Sequence, residues 1–168
     1  DVVAAEDTRE TRKLLDKFGI SVKLLSVREH NERHGAEQII ELLQEGKKVT
    51  LVTDAGTPCV SDPGARAVKA VREAGFRVIP VPGASAVVTA LSGAGLDGSG
   101  FTFVGFVPPQ SKARRNALAY WLARPEPFVL YEAPHRVVDL LEDLAAAMEP
   151  ERRVVVAREI TKKFETFS

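Results

Sequence analysis

Along this chain the spacing of apolar residues switches repeatedly between a period of two and one near three and a half, as expected for strands alternating with helices. Asp1 to Ala5 reads as a strand already under way. Asp7 is placed to cap the next helix, with Glu10 in capping-box position. Thr11, Leu14, Leu15 and Phe18 share one face of that helix, Arg9, Arg12 and Lys13 the other, and Gly19 is the expected stop. A short strand is expected from Ser21 to Leu25. The dense polar segment Arg28 to His34 follows, read as a polar loop at a cleft edge or dimer surface. Ala36, Ile39, Ile40 and Leu43 then define a helix closed by Gly46.

Val49 to Thr53 is the next apolar strand. It breaks into Asp54-Ala55-Gly56-Thr57-Pro58-Cys59-Val60-Ser61, a loop of small and turn-forming residues. Asp62 stands where an N-cap belongs and Pro63 where a first helical residue belongs, so a helix burying Ala67, Val68 and Val71 is expected up to Gly75. A strand from Arg77 to Val81 and a turn at Pro82-Gly83 lead into Ala84 to Leu91, a helix apolar nearly all round and therefore expected to be buried. Leu96 to Gly100 is turn-rich and is the expected boundary between domains 1–97 and 98–168.

Beyond it, strands are expected at Phe101 to Val107, Phe128 to Tyr131 and Arg153 to Ala157, with Phe164 to Phe167 as an edge strand or hairpin arm. Arg114 and Arg115 begin a helix containing Leu118, Trp121 and Leu122. Pro134 starts another, with Val137, Leu140, Leu141, Leu144 and Met148 inward. The alternation predicts an α/β fold in two units, with parallel pairing in the first.

Composition narrows the function. Lys plus Arg and Asp plus Glu are each 23, a formal net charge of zero, so any nucleic-acid site must arise from local clustering. The single Cys59 excludes an internal disulfide and a cysteine-rich metal site, and suits a reducing cytoplasm. His30 and His34 lack the spacing of a zinc-binding pair, so no metal is expected. No apolar run approaches the length of a membrane span. Neither a GxGxxG fingerprint nor a GxxxxGK[ST] loop is present, which weighs against a Rossmann dinucleotide site and a P-loop.

Asp54-Ala55-Gly56-Thr57-Pro58, with Ser61-Asp62-Pro63-Gly64 after it, resembles the signature loop of the tetrapyrrole methylase superfamily. Ala5 to Arg9, Pro82 to Ala86, Gly105 to Pro108, Tyr131 to Arg136 and Ala157 to Lys162 follow in the same order. Together they are similar to the branch that modifies small-subunit ribosomal RNA. The resemblance implies a two-domain fold of the third class of S-adenosylmethionine-dependent methyltransferases, truncated here at both ends. It also implies a homodimer. The activity implied is 2′-O-ribose methylation of a cytidine in 16S rRNA of the small ribosomal subunit. A tetrapyrrole C-methyltransferase and a non-catalytic ligand-binding protein are the alternatives.

By the same resemblance, S-adenosyl-L-methionine contacts Asp54, Ala55, Gly56, Thr57, Val60, Ser61, Ser85, Ala86, Tyr131, Ala133 and Ala157, in a cleft between the domains. Methyl transfer needs positioning more than functional groups, so a site of amides, hydroxyls and small residues is chemically sensible. A ribose hydroxyl is a poor nucleophile, and Glu6, Asp7, Glu132 and Glu159 are the motif carboxylates that could take its proton. Arg9, Arg12, Lys13, Lys112, Arg114, Arg115, Arg136, Arg158 and Lys162 could meet RNA phosphates. Their ordinary alternative is salt bridging with the equally numerous acids.

Overall fold

Strand β1, Val2–Ala5, runs through the middle of a three-stranded sheet, with Val2, Ala4 and Ala5 buried. Its neighbours β2 (Lys23–Ser26) and β3 (Val49–Val52) both pair with it in parallel, Val2 lying opposite Lys23 on one side and Val49 on the other. A strand flanked on both sides by parallel partners is buried on both faces, which is why β1 carries only small apolar residues. The computed structural model describes residues 1–96 and 100–168, and these form two compact units, Asp1–Ser85 and Ala86–Ser168. The expected boundary falls on residues 97–99, outside the described residues.

In the first unit the strands are linked through α1 (Thr8–Lys17) and α2 (Glu32–Gln44), and α3 (Ala65–Glu73) follows the signature loop. Gly19 ends α1 in the left-handed region, its N–H donating to the Asp16 carbonyl. Ala4, Val27, Ala36, Ile39, Ala67 and Val71 make the core. Among the described residues the Arg77–Val81 segment pairs with no strand. Pro80 and Pro82 remove two backbone donors there, and although Phe76 and Val78 pack on the core, Ile79 and Val81 are exposed.

The second unit opens with α4 (Ala86–Ala94), which the sequence assigned to the first. Only Val87 of this helix is buried and Val88 is exposed, so the expectation of a fully buried helix fails. β4 (Thr102–Phe106) and β5 (Phe128–Tyr131) pair in parallel, with a register shift between Phe103 and Gly105 where Gly105 takes a positive φ. α5 (Ser111–Leu122) and α6 (Val137–Ala147) enclose a second core of Val107, Leu118, Leu140 and Leu144. Complete burial of Leu118 alone contributes about 1.5–3 kcal/mol. The expected strand Arg153 to Ala157 is shorter: Ala157–Arg158 (β6) runs antiparallel to Thr166–Phe167 (β7), which forms the hairpin arm, and Val156 exchanges backbone hydrogen bonds with Ser168. Among the described residues no helix is long and apolar enough to cross a membrane.

Candidate active site

The carboxyl ends of β1 and β3 lie side by side, so Glu6-Asp7 and Thr53-Asp54 meet at the edge where open α/β sheets bind ligands. The Glu6 N–H donates to the Val52 carbonyl at 3.3 Å, the Asp54 N–H to Glu6 Oε2 at 3.2 Å, and the Asp7 N–H to Asp54 Oδ1 at 3.2 Å. Two motif carboxylates are thereby fixed by the backbone of the neighbouring strand end. Asp54 also fills the place expected of Glu10. Asp7 does cap α1, accepting from the Arg9 N–H at 2.8 Å, but Glu10 faces Lys13 Nζ at 2.6 Å instead of closing a capping box.

From Asp54 the loop runs over exposed Ala55 and Gly56. Gly56 takes a φ of 76°, and a Cβ placed there would meet no heavy atom within 4 Å, so its backbone is open to close approach. Cys59 (φ 72°) and Ser61 (φ 60°) also occupy the left-handed region, which non-glycine residues enter at a cost. Thr57 Oγ1 donates to the Ala84 carbonyl at 2.9 Å, tying the loop to the turn after Pro82 and next to Ser85. The Val60 N–H closes a turn onto the Thr57 carbonyl at 3.2 Å.

The loop ends on a residue that the sequence pattern concealed. Asp62 does not cap α3; Gly64 holds the cap position with a φ of 129° and no side-chain cap of its own. Glu32, in the first turn of α2, reaches across, and its Oε1 accepts from the N–H groups of Gly64 (2.9 Å), Arg66 (2.7 Å) and Ala67 (3.3 Å). Glu32 is buried, in a segment expected to be a polar loop. Helix amino ends attract carboxylates through their unpaired amides and their dipole, and a carboxylate from a neighbouring helix serves as well as a local one.

Three titrating groups differ in consequence. Arg9 grips Asp7 through Nε and Nη2, and with the Arg9 N–H this holds the Asp7 carboxyl far below the usual carboxylate range. Asp62 is pushed up, first by partial burial and then by the charges of Glu6 and Asp54, a hydrogen bond with Thr53 working against the shift. The Cys59 thiol is also pushed up, by desolvation and by Glu32, which keeps it protonated and a weak nucleophile.

In the second unit the Tyr131 ring packs edge-on against Phe103 (4.9 Å between centroids) and Phe106 (5.8 Å). The adjoining Glu132 side chain is 5% exposed. Its Oε1 accepts from the Ala133 N–H at 2.8 Å and from Arg136 Nε at 2.7 Å, while its Oε2 is buried with no hydrogen-bond partner. Glu159 (φ 55°) and Thr161 (φ 67°) make a left-handed turn beyond Ala157-Arg158, where Lys162 Nζ meets Glu159 Oε1 at 3.2 Å.

Comparison with known proteins fits this layout. The family described as Tetrapyrrole (Corrin/Porphyrin) Methylases matches residues 1–168. The chain belongs to the tetrapyrrole methylase family. A ribosomal RNA small subunit methyltransferase I from Neisseria meningitidis serogroup B (strain MC58) is 56% identical over 167 residues, which are 99% of this chain and 57% of the relative. Proteins of the same name from Escherichia coli O157:H7 and Vibrio cholerae are 49% and 46% identical, each over 99% of this chain and 58% of its own length. The chain therefore spans less than three fifths of each of these three relatives.

Within this tetrapyrrole methylase the first unit brings together Glu6, Asp7, Asp54 to Ser61 and Ser85, and the second brings together Tyr131, Glu132, Ala133 and Arg136. The expected cations fare unevenly. Arg114 is buried, its Nε 2.6 Å from Asp143 Oδ2 and its Nη1 3.3 Å from the Pro109 carbonyl, so it does not reach a phosphate. Arg12 donates to the Val22 carbonyl at 3.0 Å, and Arg136 is held by Glu132. Arg9, Lys13, Lys112, Arg115, Arg158 and Lys162 stay exposed. Among the described residues no group of three His, Cys, Asp or Glu side chains could hold a metal ion. Glu32 and Asp62 are the side chains whose roles sequence reasoning missed; the only available signal was a Glu four residues after Arg28 at the start of a periodic helix.

Proposed function

We propose that this chain is the core of an S-adenosyl-L-methionine-dependent methyltransferase acting on the ribose 2′-hydroxyl of a cytidine in 16S rRNA of the small ribosomal subunit. The observation that carries the proposal is the 54–64 loop: an open left-handed Gly56 and a Thr57 tied to Ala84, in a chain whose relatives are named ribosomal RNA small subunit methyltransferase I.

The residues present fit the cofactor. The open backbone at Gly56, the exposed Asp54 carboxylate and the exposed Ser61 hydroxyl offer donors and acceptors to a ligand carrying ammonium, carboxylate and ribose groups. When bound, S-adenosyl-L-methionine supplies a methyl group already activated on a sulfonium. Asp54 to Ser61, Ser85 and Ala86, together with Tyr131, Ala133 and Ala157, are the residues that would hold and orient it. Catalysis then consists of alignment.

Asp7 is a poor proton acceptor near neutrality, because Arg9 holds it ionised. Glu132 retains one oxygen without a hydrogen-bond partner that could take the ribose proton. Arg9, Lys13, Lys112, Arg115, Arg158 and Lys162 contact phosphates. The protein works in the cytoplasm as a homodimer.

The test is to incubate the full-length protein with methyl-labelled S-adenosylmethionine and either 30S subunits or a tetrapyrrole precursor, and then digest the RNA to nucleosides. Label in 2′-O-methylcytidine is expected. Label in the tetrapyrrole, or in neither, would refute the proposal.

A further inference from the structure

We infer that Glu32 is a positioning residue for the cofactor loop: it sets the loop's exit and fills the amino end of α3, closing that end to the cofactor's own carboxylate. The inference rests on the reading of residues 54–64 as the cofactor loop.

A helix amino end beside a ligand loop is an ordinary place for an anionic ligand group. Here the amides of Gly64, Arg66 and Ala67 all point at one buried oxygen, Glu32 Oε1, at 2.7–3.3 Å. An internal anion thus already occupies that end. The loop has no slack at this point. The Cys59 N–H donates to the Pro63 carbonyl, and a Cβ at Gly64 would stand 2.8 Å from Leu51 Cδ2 and 3.2 Å from Cys59 Sγ. The left-handed Cys59 and Ser61 lie between this anchor and the Thr57–Ala84 tie, so both ends of the strained stretch are held. Glu32 itself is held because α2 sits tightly on the sheet: a Cβ at Gly35 would come within 2.9 Å of Val27 Cγ2. Removing the carboxylate frees three amides next to the site and lets the exit of the loop move.

The test uses the full-length protein and three variants, Glu32→Ala, Glu32→Gln and the core control Ile39→Ala. Hydrogen exchange at residues 64–67 and calorimetric affinity for S-adenosylhomocysteine are measured well below each variant's Tm. In Glu32→Ala these amides should exchange fast and affinity should fall about tenfold, equivalent to about 1.4 kcal/mol. Glu32→Gln, which keeps an acceptor oxygen, should recover most of both. Formate, entering as a substitute carboxylate, should raise the affinity of Glu32→Ala and leave the wild type unchanged. Ile39→Ala should lower Tm and leave affinity intact. Wild-type affinity in a folded Glu32→Ala, or an equal loss in Ile39→Ala, would overturn the inference alone. If Glu32→Ala does not fold, Glu32→Met, of similar volume but with no oxygen acceptor, carries the test: fast exchange at residues 64–67 with lowered affinity would support the inference, and wild-type exchange and affinity would overturn it. Absence of binding by the wild type would overturn the cofactor reading and this inference with it.

Discussion

In the first unit the carboxylates of Glu32, Glu6 and Asp54 accept backbone amides; in the second, those of Asp143, Glu132 and Glu159 are matched to Arg114, Arg136 and Lys162. Similar numbers of acids therefore do different work. An acid that binds amides fixes the path of a loop. Asp143 of α6, by binding the guanidinium of Arg114 in α5, fixes one helix to another and takes that cation off the surface. The basic residues of the two units look alike in sequence, Arg9-Arg12-Lys13 beside Lys112-Arg114-Arg115, and only the facing carboxylates separate them.

The largest effect expected from this contrast is at Arg114. Its side chain is 6% exposed and that of Asp143 13%, so Arg114→Ala takes the 2.6 Å partner from a nearly buried carboxylate, leaving it only Arg115 Nη1 at 3.7 Å, and should cost about 3–5 kcal/mol in urea unfolding. Arg115→Ala, at an exposed position, should stay within about 0.5 kcal/mol. Equal losses at the two positions would break the comparison.

A smaller and oppositely signed pair of effects is expected from pH. Asp7 has a depressed pKa in the folded protein, so its contribution is present above the unfolded value of about 3.9 and is lost as pH falls below it toward the folded value. Asp62 has a raised pKa, so the folded state binds its proton more tightly and stability declines as pH rises from about 3.9 through the folded value. Thermal melts across the acid range should show Asp7→Asn flattening the acid-side loss. Asp62→Asn should be relatively more stable at neutral pH, an advantage that disappears in acid. The same sign for both would refute the assignment.

The smallest effect concerns RNA. Lys13→Gln should leave Tm unchanged, Arg9→Gln should lower it slightly by taking away the partner of Asp7, and each should lower the salt slope of RNA affinity by roughly 0.7 log units per log unit of salt if it meets a phosphate. Unchanged slopes would make α1 an ordinary solvated face.

Much of the fold was legible because periodicity and punctuation agree. Phe128–Tyr131 stands where the sequence placed a strand, and Gly19 and Gly46 end helices as expected. Other features were hidden for physical reasons. Arg77 to Val81 has a strand's alternation, but its prolines and the lack of a pairing partner decide the outcome. Asp62-Pro63 has the local chemistry of a helix start, yet an acid far away in sequence supplies the cap. Arg114 looks like its exposed neighbour until α6 places Asp143 against it. Local rules identify an element; they do not reveal which distant side chain completes it. The signature loop was legible as a motif, whereas the left-handed Cys59 and Ser61 were not, because nothing in their side chains favours that backbone.

The most direct test of the central claim, that the 54–64 loop holds the cofactor, is calorimetric titration of S-adenosylmethionine into the full-length protein and into Thr57→Val/Ser61→Ala. The wild type should bind in the presence of EDTA. The folded double variant should lose about 1–3 kcal/mol, at about 0.5–1.5 kcal/mol for each hydrogen bond removed. An unchanged Kd in that variant would take the loop out of the site.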